Sequence, residues 1–263
     1  MTATESAHLL AGKTALVSGV ANRWSIATAI ARAYRAHGAS LVLTYEGERT
    51  KPEVDKLAQE LGQSVVAQCD VSADQSIADL HGLLSESGMR LNALVHSIAF
   101  ARKEELSGKY LATSRAGFAL ALDVSAYSLV ALCRELAPLF SDAASVVALT
   151  YLGSVRAVPN YNIMGVAKAA LESSVRYLAA DLGQMGGVRV NAISAGPIKT
   201  ASARAVGGFT SILSDVAAKS PLRRNAVADD VANAAVFLAS DLSCAITGHV
   251  LYVDAGYNIM GIT

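Results

Sequence analysis

The chain has 263 residues, a length that suits one large α/β domain with a substantial core. Hydrophobic residues make up 52% and charged residues 17%, which excludes an intrinsically disordered chain. Lys and Arg together number 22, as do Asp and Glu, so no basic excess points to nucleic acid or to a membrane surface. A neutral, apolar-rich chain of this kind often buries surface in an oligomer.

Targeting, membrane and metal signals are weak. A membrane-spanning helix needs about 18 or more apolar residues, and the richest run, 116–133, is broken by Asp123 and by serines. The start, "MTATESAHLL", lacks the basic and apolar stretches of a secretory signal. The cysteines are far apart, and neither they nor the histidines show a metal-binding spacing. We therefore expect no metal, reduced cysteines and a cytosolic protein.

The elements predicted in chain order alternate between strands and helices. Strands are predicted at "KTALVSG", "SLVLTY", "SVVAQCDV", "LNALVHS", "SVVALT", "GVRVNAIS" and "HVLYVDAG". Helices are predicted at about 25–37, in a charged segment after the second strand that ends at 61, and at about 73–88, 115–140, 161–185 and 227–241. Nearly continuous apolar strands indicate a sheet covered by helices on both faces. We predict an α/β fold: one Rossmann-like, doubly wound parallel sheet of about seven strands within a single domain, 1–263, with a turn-rich stretch at about 200–220.

The first strand leads through a glycine into a helix, which is a natural anion site because backbone N–H groups and the helix dipole face it. The turn, "SGVANRWSIATAIA", holds Gly19 but departs from G-x-G-x-x-G, with Ala21 and Trp24 at the later glycine positions. Ser25 can cap the helix ahead of Ile26 and reach a pyrophosphate. The turn alone is equally compatible with cofactor binding and with a plain capped helix.

An acidic residue follows the second strand. In dinucleotide folds such a side chain binds the adenosine ribose hydroxyls and repels a 2′-phosphate. Glu46 stands in this region and favours NADH over NADPH, whereas Arg49 and Lys51 nearby weaken the preference. A solvated turn residue is the alternative interpretation of Glu46.

The third and fourth strands also end in residues suited to a cofactor. Asp70 can meet the adenine amino group while Val71 packs on the ring. The fourth strand ends in "HSIAF", where Ser97, Ile98 and Ala99 allow a ligand to approach the backbone closely; the histidine itself is expected to be structural. Ligands of open α/β sheets bind beyond these carboxyl ends. Four such strand ends together indicate a dinucleotide site.

One segment, "YLGSVRAVPNYNIMGVAK", carries candidate proton-transfer chemistry. Seven residues on a helix are almost two turns, so Tyr161 and Lys168 should share one face. The tyrosine can then face a substrate while the lysine binds the cofactor ribose. Tyr151 follows the fifth strand directly and should reach the same crevice. A core aromatic and a surface lysine are the alternative that the residues alone leave open.

The motifs "GVANRWSIA", "CDV", "HSIAF", "YLGSVRAVPNYNIMGVAK", "RVNAISAGPIKT" and "YVDAGY", in this order, resemble the enoyl-acyl-carrier-protein reductases of bacterial and plastid fatty-acid synthesis. These are divergent members of the short-chain dehydrogenase/reductase superfamily. The resemblance spans about residues 10–258. Its most specific part is Tyr-x6-Lys with a further tyrosine ten residues earlier. Ordinary superfamily members have Tyr-x3-Lys, and Gly165 stands where that pattern requires lysine.

The resemblance implies reduction of a trans-2-enoyl thioester on acyl carrier protein by NADH, with NADPH less favoured. Hydride reaches the β-carbon, and a donor must face the thioester oxygen as an enolate develops. Tyr161 is implied as that donor, Lys168 as the ribose ligand and Tyr151 as a substrate-site residue. In "SAGPIKT", the residues implied to contact the nicotinamide and pyrophosphate are Pro197, Ile198 and Thr200.

The substrate side follows from the same resemblance. Residues about 200–220 are similar to a substrate-binding loop, with Gly207 and Gly208 as a hinge. The residues expected to line the acyl site are Ala101, Tyr151, Tyr161, Met164, Phe209 and Ile212, with Leu213 also covering the chain. An acidic carrier protein could dock on the basic rim of Lys199, Arg204, Arg223 and Arg224, although a solvated rim or a surface helix is the alternative.

The resemblance also implies a homotetramer paired through the two long helices, in the cytoplasm of a bacterium, with a plastid form as an alternative. Ala99 departs from many members of the family, which have glycine there. Two other functions stay open: a short-chain alcohol or ketone oxidoreductase, which the missing Tyr-x3-Lys argues against, and a dinucleotide sensor without catalysis.

Overall fold

The computed structural model describes residues 8–62, 64–200 and 209–261. These residues contain a parallel sheet of seven strands in the spatial order β3-β2-β1-β4-β5-β6-β7. The strands β1–β7 are Thr14–Ser18, Ser40–Tyr45, Ser64–Gln68, Leu91–His96, Phe140–Tyr151, Arg189–Ala195 and Val250–Val253. The strand order reverses between β1 and β4, which creates the crevice where such sheets bind ligands. The predicted α/β fold with its parallel sheet is confirmed.

Helices lie against both faces of the sheet. The helices α1–α9 are Ile26–Ala36, Lys51–Leu61, Asp74–Glu86, Lys103–Leu106, Arg115–Leu122, Ser128–Leu136, Asn162–Gly183, Phe209–Lys219 and Ala228–Ala239. Short 3₁₀ turns occur at Tyr110–Ala112, Ala137–Leu139, Leu152–Ser154, Asp241–Ser243 and Tyr257–Ile259.

The core divides into two layers because successive strand residues point to opposite faces of the sheet. On one face Leu94 and its neighbours pack with the helices α3, α6 and α7. On the other face Val95 and its neighbours pack with α1 and α9. All seven residues of β6 are buried, as expected for a central parallel strand with helices on both sides.

One predicted element differs clearly from the structure. The stretch 115–140, predicted as one helix, consists of α5, a π-helical turn at Asp123–Tyr127 and α6. The wider turn coincides with a tertiary contact: the Ser125 hydroxyl donates to the Phe100 carbonyl oxygen at 3.0 Å and accepts from the Phe100 N–H at 2.9 Å. The helical stretch is thus π-helical at the point where Ser125 binds the backbone of Phe100, in the segment that follows β4.

Smaller differences concern the ends of elements. Strand β3 ends at Gln68 rather than at Val71, and β5 begins five residues earlier than predicted, at Phe140. Tyr161 lies one residue before α7 rather than inside it. The described half of the turn-rich stretch 200–220 is the helix α8.

One helical stretch, Arg115–Leu139, is long and apolar enough to cross a membrane by length and composition alone. Half of its most apolar window is buried inside the protein (50%). A core helix of a globular protein passes the same test, so the stretch is weak evidence for a membrane span.

Candidate active site

Tyr151 and Tyr161 meet at the carboxyl end of β5. Their ring centroids are 4.8 Å apart, and the planes cross at 64°, an edge-to-face contact. Gly153 lies beneath the second ring, because a Cβ there would come within 2.5 Å of Tyr161 Cδ1. The structure therefore brings together the two tyrosines that the sequence placed at one crevice.

The backbone around Tyr161 is strained. Both neighbours have left-handed conformations, with φ of 60° at Asn160 and 32° at Asn162. Asparagine tolerates this region better than other side chains, and such strain clusters at functional sites. The Asn162 amide nitrogen Nδ2 also donates to the carbonyl oxygens of Ser107 and Gly108, at 3.4 and 3.3 Å. The tyrosine is thus held by a tight turn as well as by α7.

Helix α7 lies very close to the turn after β5. A Cβ on Gly165 would come within 2.7 Å of the Gly153 carbonyl oxygen. The glycine at this position, noted in the sequence for its spacing from Tyr161, is therefore also a packing requirement.

Both tyrosines are phenols rather than phenolates at neutral pH. Burial, and then the neighbouring Tyr151, raise the pKa of Tyr161 well above its usual range. Burial, and then Tyr257, raise the pKa of Tyr151 to about 12. Each can therefore donate a hydrogen bond to an oxygen that gains negative charge.

Lys168 is buried under the same crevice, with 5% of its surface exposed. Its ammonium Nζ donates to the Leu149 carbonyl oxygen at 2.7 Å. Burial lowers the pKa of Lys168 to about 8, while Glu172 opposes the shift. An ammonium has three donors, so further ones remain for ligand hydroxyls. This lysine is not the surface charge that the alternative interpretation required.

Sequence reasoning missed a buried hydrogen bond between His96, which feels the charge of Lys168, and Ser128. The Ser128 hydroxyl donates its single proton to the Val124 carbonyl oxygen. It must therefore accept from His96 Nε2, which lies 2.7 Å from Ser128 Oγ. Burial, and then Lys168, lower the pKa of His96 to about 3. The predicted structural histidine is buried and neutral. Its partner, Ser128, directly follows the π-helical turn, which the apolar periodicity of the sequence does not reveal.

The turn after β1 has the geometry of a ligand cradle. Gly19 has φ of 89°, and a Cβ there would come within 2.0 Å of the Ser97 carbonyl oxygen. Ser25 caps α1 by accepting from the Thr28 N–H at 3.3 Å, as predicted. Ala21 and Ile26 are half-buried in the same turn. The ends of β1 and β4 thus meet where a cofactor is expected, and the residues present fit a dinucleotide.

The adenosine side is more open. Glu46 is exposed, and its carboxylate accepts from Arg49 at 3.3 Å. Asp70 uses its oxygen Oδ1 locally, accepting from the Ser72 N–H and hydroxyl at 3.0 and 2.7 Å. Val71 is half-buried against the core. These side chains stand at the predicted strand ends, with local partners.

The remaining candidate residues fall into two groups. Ser97 and Ala99 follow β4, whereas the side chains of Ile98 and Ile198 pack against the core, which leaves their backbone groups as the candidate contacts. Pro197 is buried beyond β6, and the Thr200 N–H donates to the Ile198 carbonyl oxygen at 2.8 Å.

On the substrate side, Met164 is 5% exposed and packs in a small cluster that Ala101 also contacts. Phe209 and Ile212 are half-buried on α8, whereas Leu213 is buried. The proposed hinge, Gly207 and Gly208, lies outside the described residues, as does Arg204.

The basic rim is partly neutralised. Arg224 forms a two-point ion pair with Asp230, and Arg223 donates to the Ala218 carbonyl oxygen. Lys199 is exposed. Among the residues that the structure describes, no group of three His, Cys, Asp or Glu side chains could hold a metal ion.

A cleft of about 470 Å³ is lined by Tyr161, the loop 153–158 and the first turns of α7. Its lining includes Tyr110, Val166 and Ala169 but none of the candidate cofactor residues. We therefore do not assign this cleft to the cofactor.

Comparison with known proteins decides the family. The model of the family described as enoyl-(acyl carrier protein) reductase matches residues 19–258. The chain belongs to this family. It is 50% identical over 256 residues to the NADH-dependent enoyl-acyl-carrier-protein reductase FabI of Nostoc, covering 96% of this chain and 99% of the relative.

Solved structures of the family are also close. The Bacillus cereus reductase, in complex with NADP⁺ and indole naphthyridinone, has a TM-score of 0.95 at 48% identity, over 97% of this chain and 99% of that one. The Anaplasma phagocytophilum reductase, in complex with NAD, has a TM-score of 0.92 at 42% identity, over 98% and 96%. The family predicted from the sequence motifs is confirmed.

Proposed function

We propose that this reductase acts on trans-2-enoyl thioesters of acyl carrier protein with NADH, in the last step of fatty-acid elongation, with Tyr161 as the donor to the thioester oxygen. The enzyme class, the reaction and the NADH cofactor predicted from the sequence are confirmed by the family match and by relatives that carry the NADH-dependent name. The observation that carries the assignment of roles is the ring contact of Tyr161 with Tyr151 at the end of β5, two residues beyond the Leu149 carbonyl oxygen that accepts from buried Lys168.

The cofactor would lie along the carboxyl ends of β1 to β6. Gly19, Ala21, Ser25 and Ile26 would face its pyrophosphate, with backbone N–H groups as donors. The other residues proposed to hold it are Glu46, Asp70, Val71, Ser97, Ile98, Ala99, Lys168, Pro197, Ile198 and Thr200. When bound, NADH supplies a hydride for the β-carbon of the alkene.

Tyr161 would stabilise the negative charge that moves onto the thioester oxygen. Its raised pKa keeps the phenol protonated, so its hydroxyl is available as a hydrogen-bond donor. Lys168 would bind the ribose hydroxyls, and its positive charge would favour the negative charge that develops on the substrate. Tyr151, in contact with the Tyr161 ring, would border the substrate and limit how that ring can turn.

The substrate would be covered by the segment about 200–220 of this single domain. Phe209 and Ile212 lie on the half-buried side of α8 and would contact the acyl chain, with Ala101 and Met164 opposite. Closure of this segment would exclude water from the hydride transfer. We also propose a homotetramer in the cytoplasm, with acyl carrier protein docking beside Lys199.

A two-part assay tests the function. The purified protein is mixed with a crotonyl thioester and NADH, then with NADPH, and the loss of absorbance of the reduced cofactor is followed. We expect turnover with NADH, and less with NADPH. Reduction of a short-chain ketone without any thioester turnover would refute the proposal in favour of a ketone reductase. Tight NADH binding with no turnover at all would indicate a sensor.

A further inference from the structure

A second buried charge lies beside Lys168 on α7. Glu172 follows it by four residues, so the two side chains lie on the same face of the helix. Only 5% of Lys168 and 6% of Glu172 is exposed. Glutamate is almost never buried to this degree without a partner, and the proposed reaction leaves Glu172 without a role.

Both charges are fastened to consecutive residues of β5. Lys168 Nζ donates to the Leu149 carbonyl oxygen at 2.7 Å. The next residue, Thr150, donates its hydroxyl to Glu172 Oε1 at 2.7 Å. The residue after that is Tyr151. These two hydrogen bonds set α7 against β5 directly beside the tyrosines.

The groups that face this pair from other elements carry little charge of their own. His96 at the end of β4 is neutral, because burial and Lys168 lower its pKa to about 3. Tyr252 on β7 pairs in register with Ser194 on β6, which in turn pairs with Thr150 on β5. Burial, and then Glu172, raise the pKa of Tyr252, so it is also neutral.

The charged groups on other elements around this pair are engaged or exposed. Asp254 and Arg156 act on Tyr252; Asp254 accepts from the N–H groups of Gly256 and Asn258, and Arg156 is exposed. Asp123 is exposed on the π-helical turn. Glu105 on α4 accepts from the N–H and hydroxyl of Ser114. Arg189 on β6 donates to the carbonyl oxygens of Leu238 and Ser240 at the end of α9. Glu172 is therefore the counter-charge that the described surroundings offer to Lys168.

We propose that Glu172 is a positioning residue of this enzyme, which keeps the Lys168 ammonium charged and in place for the cofactor. The inference rests on the proposed role of Lys168 as ribose ligand. Burial alone lowers the pKa of Lys168, and the Glu172 carboxylate raises it. Without that carboxylate the ammonium would lose its proton at lower pH, and a ribose ligand would lose its charged donor.

The test is the pH dependence of NADH affinity, measured without substrate. Trp24, the one tryptophan of the chain, lies in the turn after β1 and can report binding by fluorescence. In the wild type, affinity should be full while Lys168 is charged and fall as pH rises through about 8. In Glu172→Gln, the midpoint of this fall should move down by about one pH unit. Glutamine keeps an oxygen for the Thr150 hydroxyl, so the helix contact stays.

Two variants complete the design. Glu135→Gln removes the same charge on α6, where Glu135 pairs with His81, and should leave the midpoint unchanged. Glu172→Asp keeps the charge and should restore a midpoint near that of the wild type. If Glu172→Gln fails to fold, Glu172→Met fills the buried space without a polar group and should show the same downward shift.

An unchanged midpoint in folded Glu172→Gln or Glu172→Met would overturn the inference and leave Glu172 a purely structural residue. A downward shift of the same size in Glu135→Gln would do so as well. Failure of the proposed function is distinguishable, because it would appear as absent thioester turnover in the wild type while NADH binding and its pH dependence remain measurable.

Discussion

The two ends of the cofactor crevice are built in different ways. At the proposed reacting end, Lys168 and His96 are buried and Tyr161 is half-buried, and all three have strongly shifted pKa values. At the adenosine end, Glu46 is exposed and Asp70 half-buried, with partners within a few residues. In the proposed site, catalysis would depend on side chains whose pKa values burial shifts, whereas nucleotide recognition would depend mainly on backbone shape and a few surface charges. Substitutions at the proposed reacting end should therefore reduce function much more than substitutions at the adenosine end.

The largest effect is expected from Tyr161→Phe. The ring still packs on Tyr151 and Gly153, but the proposed donor to the thioester oxygen is lost. Removing one such donor lowers kcat by about 10²–10³-fold. NADH affinity should stay near the wild-type value, because the phenol is not proposed to bind the cofactor. Steady-state kinetics with a crotonyl thioester measures this. Tyr151→Phe is the matched comparison, and an equal loss of kcat in both would contradict the separate roles.

Lys168→Ala should act on binding first. The variant loses the charged donors proposed for the ribose, and hydrogen bonds to charged groups contribute about 1.5–3 kcal/mol each. The dissociation constant for NADH should rise about tenfold or more, as measured by fluorescence titration. Lys109→Ala removes an exposed lysine as the control. Unchanged NADH affinity in Lys168→Ala would show that the ribose lies elsewhere.

Glu46→Ala tests the adenosine end with a smaller expected effect. Loss of the carboxylate removes repulsion of a 2′-phosphate and releases Arg49, its ion-pair partner, to attract one. The ratio of kcat/KM for NADPH to that for NADH should rise about tenfold, consistent with one charge interaction near the surface. Glu48→Ala, an exposed glutamate two residues further on, should leave the ratio unchanged. If both variants behave alike, Glu46 does not discriminate between the coenzymes.

The smallest effect is expected from Ser25→Ala. The hydroxyl accepts from the Thr28 N–H and lies 2.9 Å from the Thr28 hydroxyl, so its loss uncaps α1. The free energy of unfolding should fall by about 1 kcal/mol, measured as a lower urea midpoint. Ser87→Ala removes a hydroxyl that donates to the Leu83 carbonyl oxygen on the exposed end of α3, and it should change stability by less than about 0.5 kcal/mol.

The sequence predicted the parts of the molecule that repeat or stand at a fixed spacing. Apolar runs marked every strand, and the sequence spacing from Tyr161 to Lys168 marked the proposed reacting end. Two other features left no such mark. A single π-helical turn around Ser125 adds one residue to a helix too short for its period to reveal the change. Glu172 reads as a surface charge, because glutamate is nearly always exposed, and only the tertiary contact with Thr150 shows otherwise.

The close approach of α7 to the turn after β5 bears on how this scaffold could be redesigned. A ketone reductase of the same superfamily would need a lysine at the position of Gly165. Any side chain there begins with a Cβ only 2.7 Å from the Gly153 carbonyl oxygen. The turn and the helix would have to separate before the new lysine could fit, which would also displace the Tyr161 ring. Converting one chemistry into the other is therefore a problem of rebuilding backbone, and a single exchange of side chains cannot achieve it.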